Sequence, residues 1–194
     1  WGAEHLGTNL AVTMSMQDTV LAELAARHAP DADLIFLDTG YHFPETIEVA
    51  DAVDKRYPNR LLRIQPVAGA VPELYKTDMT ACCAQRKVEP LARMKLPYEG
   101  WVTGLKRVDA PTRKNTPVLE IDKTGRIKLN PLAAWTDDDV DRFIEDNDLI
   151  IHPLTKAGFP SIGCAPCTNR VAPGADPRSG RWAGAEKTEC GLHT

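Results

Sequence analysis

From its amino end the chain alternates short apolar runs with stretches of helical periodicity over its first 130 residues. Asn9-Leu10-Ala11-Val12-Thr13-Met14 predicts a buried strand. Ser15-Met16-Gln17-Asp18 predicts a turn into a helix whose apolar positions are Val20, Leu21, Leu24 and Ala25. Leu34–Leu37 predicts a second strand ending in Asp38-Thr39-Gly40, and Pro44 suits the first turn of a helix reaching about Tyr57. Leu61–Ile64 and Trp101–Gly104 predict the third and fourth strands, with a helical stretch containing Cys82 and Cys83 between them. Val118–Asp122 and Arg126–Leu129, joined across Lys123-Thr124-Gly125, predict a hairpin or peripheral pair. Thr136 with Asp139 makes a capping-box pattern ahead of a helix with Val140, Phe143 and Ile144 inward. Beyond Ile151 the periodicity fades, and residues 172–187 are rich in Gly, Pro, Ala and charge. The expectation is an α/β fold with a mainly parallel sheet flanked by helices, spanning 1–171, and a mobile carboxyl-terminal arm over 172–194.

Composition supports a single soluble domain. The 194 residues are 43% hydrophobic and 26% charged, enough to bury a core without disulfide staples. No apolar run approaches the roughly 18 residues that span a bilayer, and no signal peptide opens the chain. It opens at Trp1 rather than Met, so an N-terminal piece is expected to be missing. A net charge of −4 argues against a general nucleic-acid binder. The charge is unevenly spread, however. Residues 76–114 carry nine Lys/Arg against four acids, and residues 155–194 five against three. All five cysteines lie in these two basic segments. Cationic surroundings favour thiolates and attract anions.

The cysteines are Cys82, Cys83, Cys164, Cys167 and Cys190. An odd count argues against a disulfide framework and for a reduced, cytoplasmic setting. Cys164-Ala165-Pro166-Cys167 has the spacing of a metal site or a redox pair. Adjacent Cys82 and Cys83 point apart on a regular element, which suits a four-iron cluster, with each thiolate on its own iron, better than one tetrahedral zinc. A Cys₄ zinc module remains the alternative. Cys190 stands alone near the chain end, after Arg178 and Arg181, where neighbouring cations would activate a thiolate nucleophile.

Ligands of open parallel sheets bind beyond the carboxyl ends of strands. Three polar turns are expected there. Ser15-Met16-Gln17-Asp18 offers a hydroxyl and backbone N–H groups for an anion, with Ser15, Gln17 and Asp18 as candidates. Asp38, Thr39 and Gly40 could meet a ribose or base. Gly104, Lys106 and Arg107 open a cationic loop. Together they favour an anionic nucleotide, while the Walker and dinucleotide glycine fingerprints are absent.

These segments, with Arg86-Lys87-Val88-Glu89-Pro90-Leu91, Asn130-Pro131-Leu132 and Glu189-Cys190-Gly191-Leu192-His193, resemble the assimilatory adenylyl-sulfate (APS) reductases over essentially the whole chain. These form the iron–sulfur branch of the sulfonucleotide reductases. The 80 residues between Cys83 and Cys164 match the spacing of that family. The resemblance implies an adenine-nucleotide α-hydrolase-like (PP-loop-like) fold and a [4Fe–4S] cluster on Cys82, Cys83, Cys164 and Cys167. It implies reduction of APS to sulfite and AMP through a thiosulfonate on Cys190, with thioredoxin as electron donor. Lys87 would stand between cluster and substrate, and Arg178, Arg181 and His193 would meet the substrate as the arm closes. A homo-oligomer is compatible with this reading. The 3′-phosphorylated substrate, PAPS, is the alternative within the family.

Overall fold

The computed structural model describes residues 1–183, 185, 187 and 189–192. Helix α1 (Gly2–Leu6) leads into strand β1 (Leu10–Met14). Then follow α2 (Val20–His28), β2 (Asp33–Leu37), α3 (Pro44–Arg56) and β3 (Leu61–Ile64). The short α4 (Met79–Cys83) passes through a wide π turn, Ala84–Val88, into α5 (Glu89–Lys95). After β4 (Gly100–Val102) come β5 (Leu119–Ile121), β6 (Ile127–Leu129) and α6 (Asp137–Asp146). The expected mainly parallel sheet flanked by helices is what forms. Its six strands run in the order β3-β2-β1-β4-β6-β5, and only β5 is antiparallel to its neighbour. The expected hairpin forms and closes one edge of the sheet, β6 pairing in parallel with β4 and β5 lying outermost. β4 ends two residues before the apolar run does, so Thr103 and Gly104 belong to the following loop.

Alternation along the strands divides the core between two faces. Leu10, Val12, Met14, Leu34 and Phe36 pack with Val20, Leu21, Val49, Val53 and Val140 of α2, α3 and α6. Ala11, Ile35 and Trp101 pack on the other face with Leu91 and Met94 of α5. Burial on both faces explains why the central strands read as continuous apolar runs. The Thr136 hydroxyl accepts the Asp139 N–H while the Asp139 carboxylate accepts that of Thr136, which starts α6 as the pattern predicts. The π turn has a covalent cause. Pro90 has no N–H for the Arg86 carbonyl, and its ring would clash there in a regular helix. The turn widens instead, and the Glu89 N–H bonds to Ala84 O, five residues back.

Candidate active site

The chain winds outward from β1 through β2 to β3, then returns to place β4 on the other side of β1. The loops after β1 and β4 therefore flank a crevice at the point where the winding reverses, where such sheets take ligands. Ser15 is exposed at the end of β1, and its hydroxyl accepts the Gln17 N–H at 3.4 Å. Met16 takes a left-handed conformation, φ 62°, with its side chain fully buried, which fixes the turn from below. The neighbouring side chains have internal partners. The Asp18 carboxylate accepts the N–H of Val20 at the start of α2, and burial pushes its carboxyl up. Gln17 donates to Pro160 O and accepts the Ile162 N–H, both at 3.1 Å. Gln17 thus ties this turn to the segment leading into Cys164.

The turn after β2 divides between two directions. The Asp38 carboxylate accepts the Gly40 N–H at 3.0 Å, and Gly40 needs its φ of 74° to close that turn. Thr39 is 1% exposed, and its Oγ1 lies 3.3 Å from Cys164 Sγ, so it faces the cysteines. In the loop after β4, a Cβ on Gly104 would stand 3.3 Å from Leu21 of α2, a close approach that favours glycine. Lys106 forms ion pairs with Asp109 and Asp137. Arg107 donates to Thr116 O at 2.9 Å.

Four cysteines meet in one cavity. The Asp78 carboxylate caps α4 by accepting the Ala81 N–H, and the last turn of that helix presents Cys82 and Cys83. Cys164 and Cys167 arrive on a tight turn, closed by the Thr168 hydroxyl donating to Cys164 O and by the Ala165 N–H donating to Tyr41 O. All four thiols are buried, none is in a disulfide, and they line the cavity with Lys87 and Trp182. Tyr41 and Tyr75 form its rim, and the Arg86 guanidinium lies 4.2 Å over the Tyr41 ring. Arg86 also donates to Thr39 O, so the β2 turn and the π turn are bonded to each other. Burial pushes the thiols of Cys82, Cys83 and Cys167 up, and neighbouring sulfurs add to it. Such a group becomes a set of thiolates when a positive centre compensates them. Among the described residues, no three Cys, His, Asp or Glu converge closely enough for a single metal ion. The four thiols instead line one shared space.

The carboxyl-terminal segment folds over this cavity. Residues 172–177 are exposed, but the chain then returns. Asn169 donates to Gly180 O, Trp182 donates to Cys167 O, and Thr168 and Arg181 form an antiparallel bridge. Arg181 stacks 4.6 Å from the Trp182 ring and donates to Ile162 O. Its guanidinium covers Gly163 so closely that a Cβ there would stand 2.2 Å from Nη2. Burial pushes the Arg181 guanidinium down, and the nearby Arg178 charge adds to this. Cys190 is half-buried and electrostatically coupled to Lys87 and Cys83. Burial works against the Lys87 ammonium, but the sulfurs of Cys164, Cys190 and Cys83 outweigh it and raise its pKa. His193 lies outside the described residues.

The structure thus brings Cys82, Cys83, Cys164, Cys167, Lys87, Arg181 and Cys190 together beyond the carboxyl ends of β1 and β2. Ser15, Asp38, Gly40 and the Lys106–Arg107 loop lie along the same edge. Sequence reasoning missed Tyr41, Arg86 and Trp182 around the cavity, and Arg113 with Glu189 beside Cys190. Tyr41 directly follows the Asp38-Thr39-Gly40 turn, and that position is the available signal for it.

Residues 8–170 match the phosphoadenosine phosphosulfate reductase domain. An adenosine 5′-phosphosulfate reductase of Mycolicibacterium smegmatis is 49% identical over 100% of this chain and 85% of its own length. That of Mycobacterium tuberculosis is 52% identical over 95% and 76%. A crystal structure of phosphoadenylyl-sulfate (PAPS) reductase from Candida auris superposes with a TM-score of 0.71 at 28% identity, covering 84% of this chain and 83% of that one. The FMN adenylyltransferase of Candida glabrata shares the fold alone, with a TM-score of 0.60 at 15% identity over 95% of this chain and 69% of that one. On the domain match and on relatives that share half of its residues over nearly its full length, the chain belongs to the phosphoadenosine phosphosulfate reductase family.

Proposed function

We propose that this protein reduces adenylyl sulfate to sulfite and AMP, with Cys190 as nucleophile and thioredoxin as the source of two electrons. The observation that carries the reading is the packing of the chain end beside the four-cysteine cavity, where a Cβ on Gly191 would stand 3.5 Å from Val88 of the π turn and Cys190 is electrostatically coupled to Lys87. Names of relatives favour the same substrate, since those at about half identity are adenosine 5′-phosphosulfate reductases. An enzyme of this family displaces the alternative of a zinc-binding module.

In the reaction the Cys190 thiolate attacks the sulfate sulfur. The bond from that sulfur to the phosphate oxygen breaks, and AMP leaves with its electron pair. Cys190 then carries a thiosulfonate. A thioredoxin thiolate attacks Cys190 Sγ, sulfite departs with the S–S bonding pair, and the second thioredoxin thiol resolves the mixed disulfide. Lys87, Arg178 and Arg181 offset the repulsion between an anionic nucleophile and an anionic substrate. Ser15 and the backbone N–H groups of its turn suit the phosphate. Asp38 and Gly40 suit the ribose and base, and Lys106 and Arg107 add positive field. The arm over 172–194 opens for nucleotide and thioredoxin and closes for the attack.

Cys82, Cys83, Cys164 and Cys167 would hold a [4Fe–4S] cluster. Buried thiols around a common space fit that group, because each can ligate a separate iron. Bound there, the cluster with its four thiolates would supply a polarisable, net anionic group whose charge the Lys87 ammonium would balance beside the substrate. Five free cysteines agree with a reducing cytoplasmic setting. No helix among the described residues is long and apolar enough to cross a membrane.

The test is anaerobic sulfite release from the reconstituted protein with APS or PAPS as substrate, each with and without thioredoxin. Sulfite from APS that depends on thioredoxin is expected. Turnover confined to PAPS would replace the substrate, and turnover of neither would remove the reading.

A further inference from the structure

Cys190 is flanked by two anchors of different chemistry. After it, Gly191 takes φ 84° and Leu192 packs against the buried cluster that includes Ala11, Ile35, Leu91 and Trp101 on the α5 face of the sheet. Before it, Glu189 meets the loop that follows β4. Arg113 Nε donates to Glu189 Oε1 at 3.0 Å and Nη2 to Oε2 at 2.8 Å, a two-pronged pair. Asp109 fixes that guanidinium from the other side, accepting from Nη1 at 3.0 Å. The Thr112 hydroxyl donates to Glu189 Oε1 and Arg178 Nη2 to Oε2, both at a longer 3.4 Å. The Arg113 and Glu189 side chains keep only 15% and 19% of their surface exposed, so solvent screens this pair little.

A two-pronged arginine–carboxylate pair has one geometry, which makes it a locating device. A pair this enclosed gives weak stability and is better suited to fixing register. We propose that Glu189 is a positioning residue whose carboxylate, seated on Arg113, holds the adjacent Cys190 thiol at the point of attack beside Lys87. The proposal rests on the reading of Cys190 as nucleophile. Arg113 carries the seat, because its two-pronged pair is shorter and better defined than the Arg178 contact. The seat lies on the cationic loop after β4, so the strand that borders the nucleotide crevice also sets the reach of the nucleophile.

The test uses the cluster-loaded full chain and three readouts. The first is the single-turnover rate at which Cys190 gains a sulfonate from APS without thioredoxin, read by protein mass. The second is AMP affinity. The third is the rate at which iodoacetamide alkylates the Cys190 peptide without nucleotide. Glu189→Gln should slow sulfonation about tenfold, equivalent to about 1.4 kcal/mol in the barrier, and keep AMP affinity within about twofold. It should also speed alkylation. Glu189→Asp keeps the charge but shortens the reach, so faster alkylation in it too separates lost seating from a simple change of charge. Combining Glu189→Gln with Arg113→Ala should be no slower than Arg113→Ala alone. Wild-type sulfonation and alkylation rates in Glu189→Gln, or an additive double variant, would overturn the proposal. If the wild-type chain gains no sulfonate from APS, the functional reading fails, and the alkylation series still decides the seat.

Discussion

The Thr39 hydroxyl lies 3.3 Å from the Cys164 sulfur, which bonds the turn after β2 to the cysteine cavity. The same hydroxyl accepts the Tyr41 N–H at 3.2 Å, so one buried oxygen serves both the turn and the thiol. Thr39→Val keeps the shape and removes both bonds. We expect a loss of about 1–2 kcal/mol in urea unfolding and, for the proposed cluster, faster bleaching of its visible absorbance in air. Unchanged bleaching would mean that Thr39 only shapes the turn.

Cys190→Ser should abolish sulfite release while sparing visible absorbance and AMP binding. Cys190 is outside the group that lines the cavity, and its neighbours are anchored by Glu189 and Leu192. Measurable turnover in the purified variant would assign the attack elsewhere.

Lys87→Ala should reduce kcat/KM about 100-fold yet shift stability by less than about 1 kcal/mol. Burial opposes its ammonium, and the nearby sulfurs of Cys164, Cys190 and Cys83 outweigh that and raise its pKa. Wild-type kinetics would reduce Lys87 to a bystander charge.

Gly180→Ala tests the closure of the arm. A Cβ at 180 would stand 2.3 Å from Asn169 O, a backbone atom that cannot swing aside. The strand-like contact between 168–169 and 180–181 should part, with faster tryptic cleavage at Arg178 and Arg181 and lower turnover. In the wild-type chain, AMP should slow the same cleavage. Identical digestion patterns for the variant and the wild-type chain would count against the contact as a clasp.

Asp122 supplies a pH dependence unrelated to catalysis. Burial opposes its carboxylate, but Lys95 at 2.8 Å, Thr124 and backbone N–H groups overcome that and hold its pKa well below the usual range. A depressed carboxylate contributes stability above its ordinary pKa of ~4 and loses it as pH falls through the folded value. Asp122→Ala should cost about 3–5 kcal/mol near neutrality, because it strands Lys95, which is 8% exposed. Urea unfolding at pH 7 and pH 3 should find the gap narrower in acid.

Much of this architecture was legible locally. The strands announce themselves as apolar runs between turns, and α6 by the Thr136–Asp139 pattern. The paired cysteines needed no structure to be grouped, and the spacing of the terminal Cys190 set it apart. What stayed hidden is where polar side chains of the turns are directed. Gln17 meets Pro160 and Ile162, and Thr39 meets Cys164, partners more than 120 residues away that no local pattern encodes. Strand β4 was read two residues long because Thr103 and Gly104 continue its character, while packing of α2 close to Gly104 belongs to tertiary structure. The Arg113–Glu189 pair joins segments that sequence reading treated as separate charged surfaces.

The wide turn before Pro90 has a consequence for how the site is prepared. Proline makes that turn a property of the covalent chain, because no rearrangement can restore the bond its nitrogen lacks. Lys87 lies within that widened turn, four residues after Cys83 and three before Pro90. In the reaction proposed above, a charge held by the backbone in this way would leave little reorientation to be done when an anion arrives. One ring, three residues from the ammonium, thus acts as the preorganising element of the site.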